Sequence, residues 1–337
     1  MSIKVIKPGL LTTVQDLGRF GYQHEGVIVS GAMDTFALRI ANLLVGNPEN
    51  TATLEATLQG PSLFFEQDQL VAITGANMAP TINDVPVRLW RPLLIRAGST
   101  LVMKNAQEGC RSYIAISGGL NLPKILGSYS TYLRAKFGGF KGRALLANDT
   151  LSTVNASSSI AQQLQKKLSD KAFGDWFIQP NWTLEPQPYM IYQEQDVIRA
   201  MRGMEHDLFH PDSHEYFWQG KFQVTAQSDR MGYRMLGSTL ELSEPQEMLS
   251  SAVTFGTVQV PPQGSPIILM ADHQTTGGYP RIAQIISTDL PKLAQVQPGK
   301  TIQFKEVSLQ DAQALYLKQE SDIEQLKSAL SLKLRSI

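Results

Sequence analysis

The stretch Asp272-His273-Gln274-Thr275-Thr276-Gly277-Gly278-Tyr279-Pro280 gathers a carboxylate, an imidazole, an amide, two hydroxyls and a phenol. It follows Pro266 to Met270, the strongest buried-strand signal in the chain, so these groups leave a strand end and enter a Gly-Gly turn. Glycine lets backbone N–H groups approach a ligand closely, and flanking polar side chains then fix its orientation. This density of reactive groups predicts a ligand site. The alternative is a tight β-turn in which Asp272 bonds its own backbone.

Three further constellations carry chemistry. In Ser228-Asp229-Arg230-Met231-Gly232-Tyr233-Arg234, two arginines flank a Gly-Tyr pair, and each offers a planar fork suited to carboxylate or phosphate. Pairing of an arginine with Asp229 at the surface is the plainer alternative. Thr13-Val14-Gln15-Asp16-Leu17-Gly18-Arg19-Phe20-Gly21-Tyr22 places Gln15, Asp16 and Arg19 together as candidate ligand contacts; here a local Asp16–Arg19 pair would only set a loop. Between Glu108 and Asp149 there is no acidic residue, yet Arg111, Lys124, Arg134, Lys136, Lys141 and Arg143 are present among many glycines. A mobile basic loop of this kind points to an anion such as a phosphate or a carboxylate, with Lys136, Lys141 and Arg143 as contacts, or else to a solvated loop.

Other chemistry is absent from the sequence. His206, His210 and His214 have helical spacing, but Pro211 would break that helix, so no metal site is expected. There is no P-loop, no Gly-x-Ser-x-Gly elbow, no Cys-x-x-Cys and no dinucleotide fingerprint. The single cysteine, Cys110, is read as structural, and its isolation fits a reducing cytoplasm. With 30 basic and 30 acidic residues, no net charge draws the chain to nucleic acid or membrane. No signal-peptide core is seen, and no run approaches the roughly 20 apolar residues that span a bilayer.

Short strands must position these groups. Leu70–Gly75, Val85–Arg88, Leu93–Arg96, Thr100–Met103 and Ser112–Ser117 alternate with turns, and strands return at Met190–Tyr192, Phe222–Ala226, Thr257–Val260 and Ile267–Met270. Phe36, Ile40, Leu43 and Leu44 mark a helix capped by Ser30 or Asp34; 160–168 reads as an exposed helix, and a third follows Ser308. Its apolar stripe, Ala312, Leu315, Tyr316, Ile323, Leu326 and Leu330, is suited to packing on its own barrel or on a partner. Three segment pairs repeat in order: 96–104 with 297–305, 30–33 with 228–231, and 55–60 with 251–256, at offsets of 201, 198 and 196. The chain reads as two copies of one β-rich unit, and a cleft between copies is a common place for a ligand.

The motifs Val14-Gln15-Asp16-x-Gly18-Arg19, Ser30-Gly31-Ala32-Met33-Asp34, Gly118-Gly119, Ser228-x-Arg230-Met231-Gly232-Tyr233-Arg234 and Asp272-x-x-Thr275-Thr276-Gly277-Gly278-Tyr279-Pro280, with the helix end at Asn42–Asn47, resemble the KipA / allophanate hydrolase subunit 2 family. That family is also described as the C-type subunit of 5-oxoprolinase and as biotin-dependent carboxyltransferase. The resemblance runs from about residue 3 to about residue 307. It implies a mainly β protein with some α, made of two cyclophilin-like β-barrel domains from an internal duplication. The expected division is 1–120 for the first barrel, 121–184 for the basic insert and connecting helix, 185–307 for the second barrel and 308–337 for the helical tail.

The resemblance also implies a function. The favoured reading is one component of an ATP-dependent 5-oxoprolinase that opens 5-oxoproline to L-glutamate. This component is expected to be inactive alone and to work in the cytoplasm with two partners, a KipI-like B-type 5-oxoprolinase subunit plus the A-type subunit of the same system. ATP, with Mg2+, is expected in the assembled complex; biotin is not, because no Met-Lys-Met carrier segment is present. Activating a lactam by phosphorylation needs cations around the phosphoryl group, a task suited to Arg230, Arg234 and the basic loop. Asp272, Gln274, Thr275 and Tyr279 are suited to the amide, with Asp272 as the base and Gln274 and Tyr279 as further catalytic groups; Thr276, Gly277 and Gly278 complete the binding turn. Two rival readings are a regulatory module controlling a histidine kinase through its partner, and a carboxyltransferase component acting on a urea-like amide.

Overall fold

The computed structural model describes residues 2–155, 158–170, 176–184, 197–246 and 248–336. These fall into two compact units. One holds the described residues of 1–18, 34–188 and 322–337; the other holds those of 19–33 and 189–321. Residues 19–33 group with the second unit, and the basic insert belongs to the body of the first. The boundary near 185 and the strand expected at 190–192 lie outside the described residues.

The first unit contains β1 (Ser2–Lys7), β2 (Leu11–Gln15), α1 (Thr35–Leu44), β3 (Thr53–Thr57), β4 (Ser62–Phe65), β5 (Gln69–Asn77), β6 (Thr81–Ile82) and β7 (Val85–Pro86). It continues through β8 (Pro92–Ile95), β9 (Ser99–Val102), β10 (Glu108–Ile116), β11 (Thr150–Ser152), α2 (Ser159–Ser169) and β12 (Phe177–Ile178). Two six-stranded sheets form, ordered β11-β1-β4-β9-β6-β7 and β12-β8-β5-β10-β3-β2. Ile3, Val5, Leu63, Phe65 and Leu101 from the first sheet share one core with Val14, Leu54, Ile73, Ile95 and Ile114 from the second. Alternation in β1 makes this possible: Ile3 and Val5 are buried, while Lys4 and Lys7 are exposed.

β5 and β10 are buried along almost their whole length, because α1 covers the face turned away from that core. Asp34, one of the two expected caps, accepts from the Ala37 N–H at 2.8 Å. Thr74 Oγ1 donates to the Ala37 carbonyl at 2.7 Å. Tyr113, fully buried, donates its hydroxyl to Glu55 Oε2 at 2.7 Å and accepts from the Asp34 N–H at 2.8 Å. Burial, and then the Glu55 charge, push the Tyr113 phenol well above its ordinary range. The sequence reading of an exposed α2 is also corrected, since Ala161, Leu164 and Leu168 bury one face of it.

The second unit contains β13 (Val197–Arg202), α3 (Pro211–Gln219), β14 (Lys221–Val224), β15 (Gly232–Leu236), β16 (Ser251–Ala252), β17 (Thr257–Gln259), β18 (Ile267–Leu269), β19 (Thr276–Gly277), β20 (Arg281–Ile285), α4 (Leu290–Ala294) and β21 (Thr301–Glu306). Seven strands close a barrel in the order β13-β20-β17-β18-β15-β14-β21, sealed by the parallel β13–β21 pair. Phe222, Tyr233, Met235, Val258, Ile268, Ile302 and Phe304 fill it. Phe217 of α3 stacks on Phe304 with ring centroids 4.4 Å apart, worth about 0.5–1.5 kcal/mol beyond its area.

The protein is thus mainly β with some α. The repeat is visible locally: 99–102 and 301–306 are both strands after a turn, and 53–57 and 251–252 are strands followed by another strand. The third match diverges, since 30–33 runs towards α1 and 228–231 runs into β15. The last helix, α5 (Leu309–Ser336), is capped by Ser308, whose Oγ accepts from the Asp311 N–H at 3.1 Å. Its stripe is buried at Ala312, Ile323 and Leu330, and Lys327 reaches Glu49 of the first unit at 3.2 Å. Among the described residues, no helix is long and apolar enough to cross a membrane.

Candidate functional site

The β15–β18 ladder runs past its last paired residues and brings two of the sequence-predicted segments together. Met270 N–H donates to the Met231 carbonyl at 3.0 Å, and Asp272 N–H donates to the Arg230 carbonyl at 2.8 Å. Asp229 does not pair with Arg230, as the surface alternative required. Its Oδ1 accepts from the N–H groups of Met231 and Gly232 at 2.8 and 3.1 Å, a local turn that directs the chain into β15.

Arg230 is instead buried against Asp272. Nε donates to Oδ2 at 3.0 Å and Nη2 to Oδ1 at 2.9 Å, with both side chains about 5% exposed. Two more contacts tie in a distant loop: Ser30 Oγ donates to Asp272 Oδ1 at 2.7 Å, and Arg230 Nη2 donates to the Gly31 carbonyl at 2.5 Å. Ser30 sits at φ 56°, a left-handed conformation unusual for a residue with a Cβ, and is held there by these bonds. Both Asp272 oxygens accept from the Arg230 fork and one also from Ser30, which holds the carboxylate in place.

The rest of the turn is a ribbon. Thr276 and Gly277 form β19 and pair with Ala252 and Ser251 of β16. Gly277 lies close to Gln259, whose Nε2 would stand 2.4 Å from a Cβ placed there. That amide donates to the Tyr279 carbonyl at 3.3 Å. Thr276 and Tyr279 are exposed, and Gln274, Thr275, Gly277 and Gly278 are half-buried. Buried His273 turns Nδ1 to the Gln274 carbonyl at 2.6 Å, and burial lowers its pKa. Arg281 anchors the ribbon's base, forking onto Glu205 and donating from Nη1 to the Ala252 carbonyl at 3.1 Å. The Arg281 bonds hold the Glu205 carboxyl below its usual range.

The other sequence candidates separate. Tyr233 and Met235 point into the barrel, whereas Arg234 between them is exposed. Asp16 belongs to the first unit and is satisfied there by Ser128 Oγ at 2.7 Å, Ser130 Oγ at 2.5 Å, Tyr129 N–H at 2.7 Å and Gly18 N–H at 2.9 Å. It fixes the 128–130 loop. Arg19 is buried in the second unit. Gln15 is buried in β2 and donates to Thr13 Oγ1 and the Thr131 carbonyl.

The basic loop, expected to be mobile, is built on close turns. Gly142 has φ 66°, and a Cβ there would lie 2.0 Å from the Lys136 carbonyl oxygen. Arg143 is neutralised by Asp149 through two bonds of 2.7 and 2.8 Å, and those bonds lower the Asp149 pKa. Lys136 and Lys141 are exposed, and Lys141 lies over the Phe140 ring. Pro211 opens α3 rather than interrupting a helix, and the rings of His206 and His214 stack 4.1 Å apart. Burial pushes the Cys110 thiol up, as befits a structural residue.

Sequence reasoning missed Ser30 and Gly31 as site residues. The available signal was the match of 30–33 to 228–231, two segments that meet through Arg230 and Gly31. Comparison with known proteins agrees with this architecture. The model of the carboxyltransferase domain, subdomain A and B, matches residues 25–306. The chain is 44% identical over 315 residues to the C-type subunit of 5-oxoprolinase from Haemophilus influenzae, covering 94% of each protein. It is 40% identical to the corresponding 5-oxoprolinase C-type protein of Escherichia coli, covering 96% of this chain and 97% of that one.

Among solved structures, the Kluyveromyces lactis urea carboxylase superposes with a TM-score of 0.83 at 30% identity. That match covers 96% of this chain but only 29% of the enzyme's length. The urea amidolyase of Lachancea kluyveri is 32% identical, and the chain spans 18% of it. The chain belongs to the carboxyltransferase domain family, subdomains A and B.

Proposed function

We propose that this chain is the C-type subunit of a 5-oxoprolinase, acting in the cytoplasm with A-type and KipI-like B-type subunits to open 5-oxoproline to L-glutamate. The observation that carries this reading is mutual coverage. The 5-oxoprolinase relatives and this chain cover 94–97% of each other, while the urea-processing relatives match it over less than a third of their length.

The geometry supports an amide ligand. The buried Arg230–Asp272 pair holds the base of the site, and the adjoining ribbon presents Gln274, Thr275, Thr276 and Tyr279, groups that donate to a carbonyl or accept from an amide N–H. Opening a lactam requires a nucleophile at the carbonyl carbon and a proton delivered to the leaving nitrogen. The residues of this chain would bind and orient the lactam for that reaction. Arg143, one of the cations expected to meet a phosphate, is engaged by Asp149. We assign the nucleotide to the other subunits.

The close likeness to urea carboxylase favours one alternative, carboxyl transfer to a urea-like amide. Deletion of the gene from its host separates the two. Accumulation of 5-oxoproline is the expected result; an unchanged 5-oxoproline pool, with loss of a biotin-dependent carboxylation, would favour the alternative.

A further inference from the structure

Gly31 and Ala32 are both buried, and neither backbone N–H has an acceptor among the described residues. Buried backbone donors without partners are rare in folded proteins, because an unmade bond leaves the desolvation of the N–H uncompensated. Two in succession, beside a buried guanidinium, call for a ligand. We propose that the Gly31 and Ala32 N–H groups form an oxyanion site, which receives a negatively charged oxygen of the substrate.

Three features of the second unit build this site. Ser30 at φ 56° and Gly31 at φ 97° take the chain out of the extended alternation in which successive N–H groups point in opposite directions. The Ser30 hydroxyl is fixed on Asp272, and Asp272 is fixed by the Arg230 fork, so the loop is preorganised before any ligand arrives. Finally, Arg230 Nη2 donates to the Gly31 carbonyl at 2.5 Å. That carbonyl and the Ala32 N–H belong to one peptide unit. A cation on the oxygen draws electron density along the amide and makes the N–H a stronger donor. The neutral Arg230–Asp272 pair therefore strengthens the site without placing an unpaired carboxylate beside the incoming anion.

This inference rests on the amide-opening function for its substrate. A nucleophile adding to the lactam carbonyl carbon moves the C=O pair onto oxygen, and fixed donors aimed at that oxygen lower the barrier. The same two donors would suit the carboxylate that 5-oxoproline already carries. Kinetics distinguish the two, since a developing oxyanion is bound only in the transition state and a carboxylate is bound throughout.

The test replaces single amides by esters in the full chain, assembled with its A- and B-type partners. Glycolic acid at position 31 removes the Gly31 N–H and leaves the Gly31 carbonyl as an amide; lactic acid at position 32 removes the Ala32 N–H. Each change is expected to lower turnover of 5-oxoproline by about 10²-fold. The melting temperature is expected to be unchanged for position 31 and to drop only slightly for position 32, where the Gly31 carbonyl becomes a weaker ester acceptor for Arg230. A loss in kcat identifies the carbonyl oxygen as the ligand, and a rise in KM identifies the carboxylate. Turnover that is unchanged, or that falls only with the melting temperature, overturns the proposal. If the unmodified assembly does not act on 5-oxoproline, the function fails on its own, and the amide protons decide the site. Titration of the full chain with acetate is then expected to move both the Gly31 and Ala32 protons downfield, and absence of a shift overturns the site.

Discussion

The guanidinium of Arg230 holds Asp272 by both carboxylate oxygens, at 3.0 and 2.9 Å, in a setting where each side chain is about 5% exposed. These residues lie 42 positions apart, so the pair closes one end of the barrel's β15–β18 ladder as well as supporting the site. Removing one member of such a pair leaves the other charge buried, which costs about 3–5 kcal/mol. Asp272→Asn is therefore expected to lower both the melting temperature and the turnover. The double variant Arg230→Met/Asp272→Leu is expected to recover much of the stability but none of the activity. Thermal unfolding and glutamate release on the same preparations check this, and an active, stable Asp272→Asn would refute it.

Ser30 separates stability from function more cleanly. Ser30→Gly loses one buried hydrogen bond, worth about 0.5–1.5 kcal/mol. It also relieves a left-handed serine, worth about 1–2 kcal/mol. The two effects nearly cancel, so the melting temperature is expected to stay within a few degrees while turnover drops through a loosened 30–32 loop. Ser30→Ala keeps the strain and loses the bond, and should be the less stable of the two.

Much of the scaffold was legible in the sequence. Asp34 followed by Phe36, Ile40, Leu43 and Leu44 identifies α1 and its cap, and the runs at 70–75, 112–117 and 267–270 are strands. Local periodicity and capping suffice there because the determinants lie within a turn or two. The site was legible in its parts but not in its wiring. Asp272 and Arg230 stood out, yet the nearest charge to Arg230 in sequence, Asp229, is engaged in a turn instead. Ser30 meets Asp272 across 242 positions, a distance at which spacing carries no information. Gly277 was expected to let a ligand approach the backbone, and sequence alone does not show that it also packs against Gln259 beside a paired strand.

The basic loop offers a separate test of order. Gly142→Ala would drive a Cβ to 2.0 Å from the Lys136 carbonyl oxygen at a φ of 66°. Backbone must move to relieve such a contact, so a loss of several degrees in melting temperature is expected. A solvated coil would tolerate the same change without effect.

Two buried histidines set a pH dependence. Burial lowers the pKa of His206 and of His273 below the ordinary histidine value of about 6.5. In the unfolded chain each takes up its proton near that value, before the folded form does, so the unfolded state binds more protons as pH falls. Stability is therefore fully present above about pH 6.5 and is lost as pH drops from there through the folded values. His206 Nε2 accepts from Trp218 Nε1 at 3.3 Å, a bond that ring protonation breaks. Unfolding in urea between about pH 7.5 and 5 should show this fall, and a His206→Gln/His273→Asn variant should show a shallower one.

As the proposed C-type subunit of a 5-oxoprolinase, this chain must be needed for conversion of the lactam. The most direct measurement follows 5-oxoproline labelled with ¹³C at the lactam carbonyl, with ATP and magnesium, by NMR. The complete mixture of A-type, B-type and present chains is compared with one lacking the present chain. A carboxylate signal of L-glutamate is expected in the complete mixture, with no conversion when this chain is left out. Equal conversion in both mixtures, or none in a complete mixture of folded subunits, would contradict it.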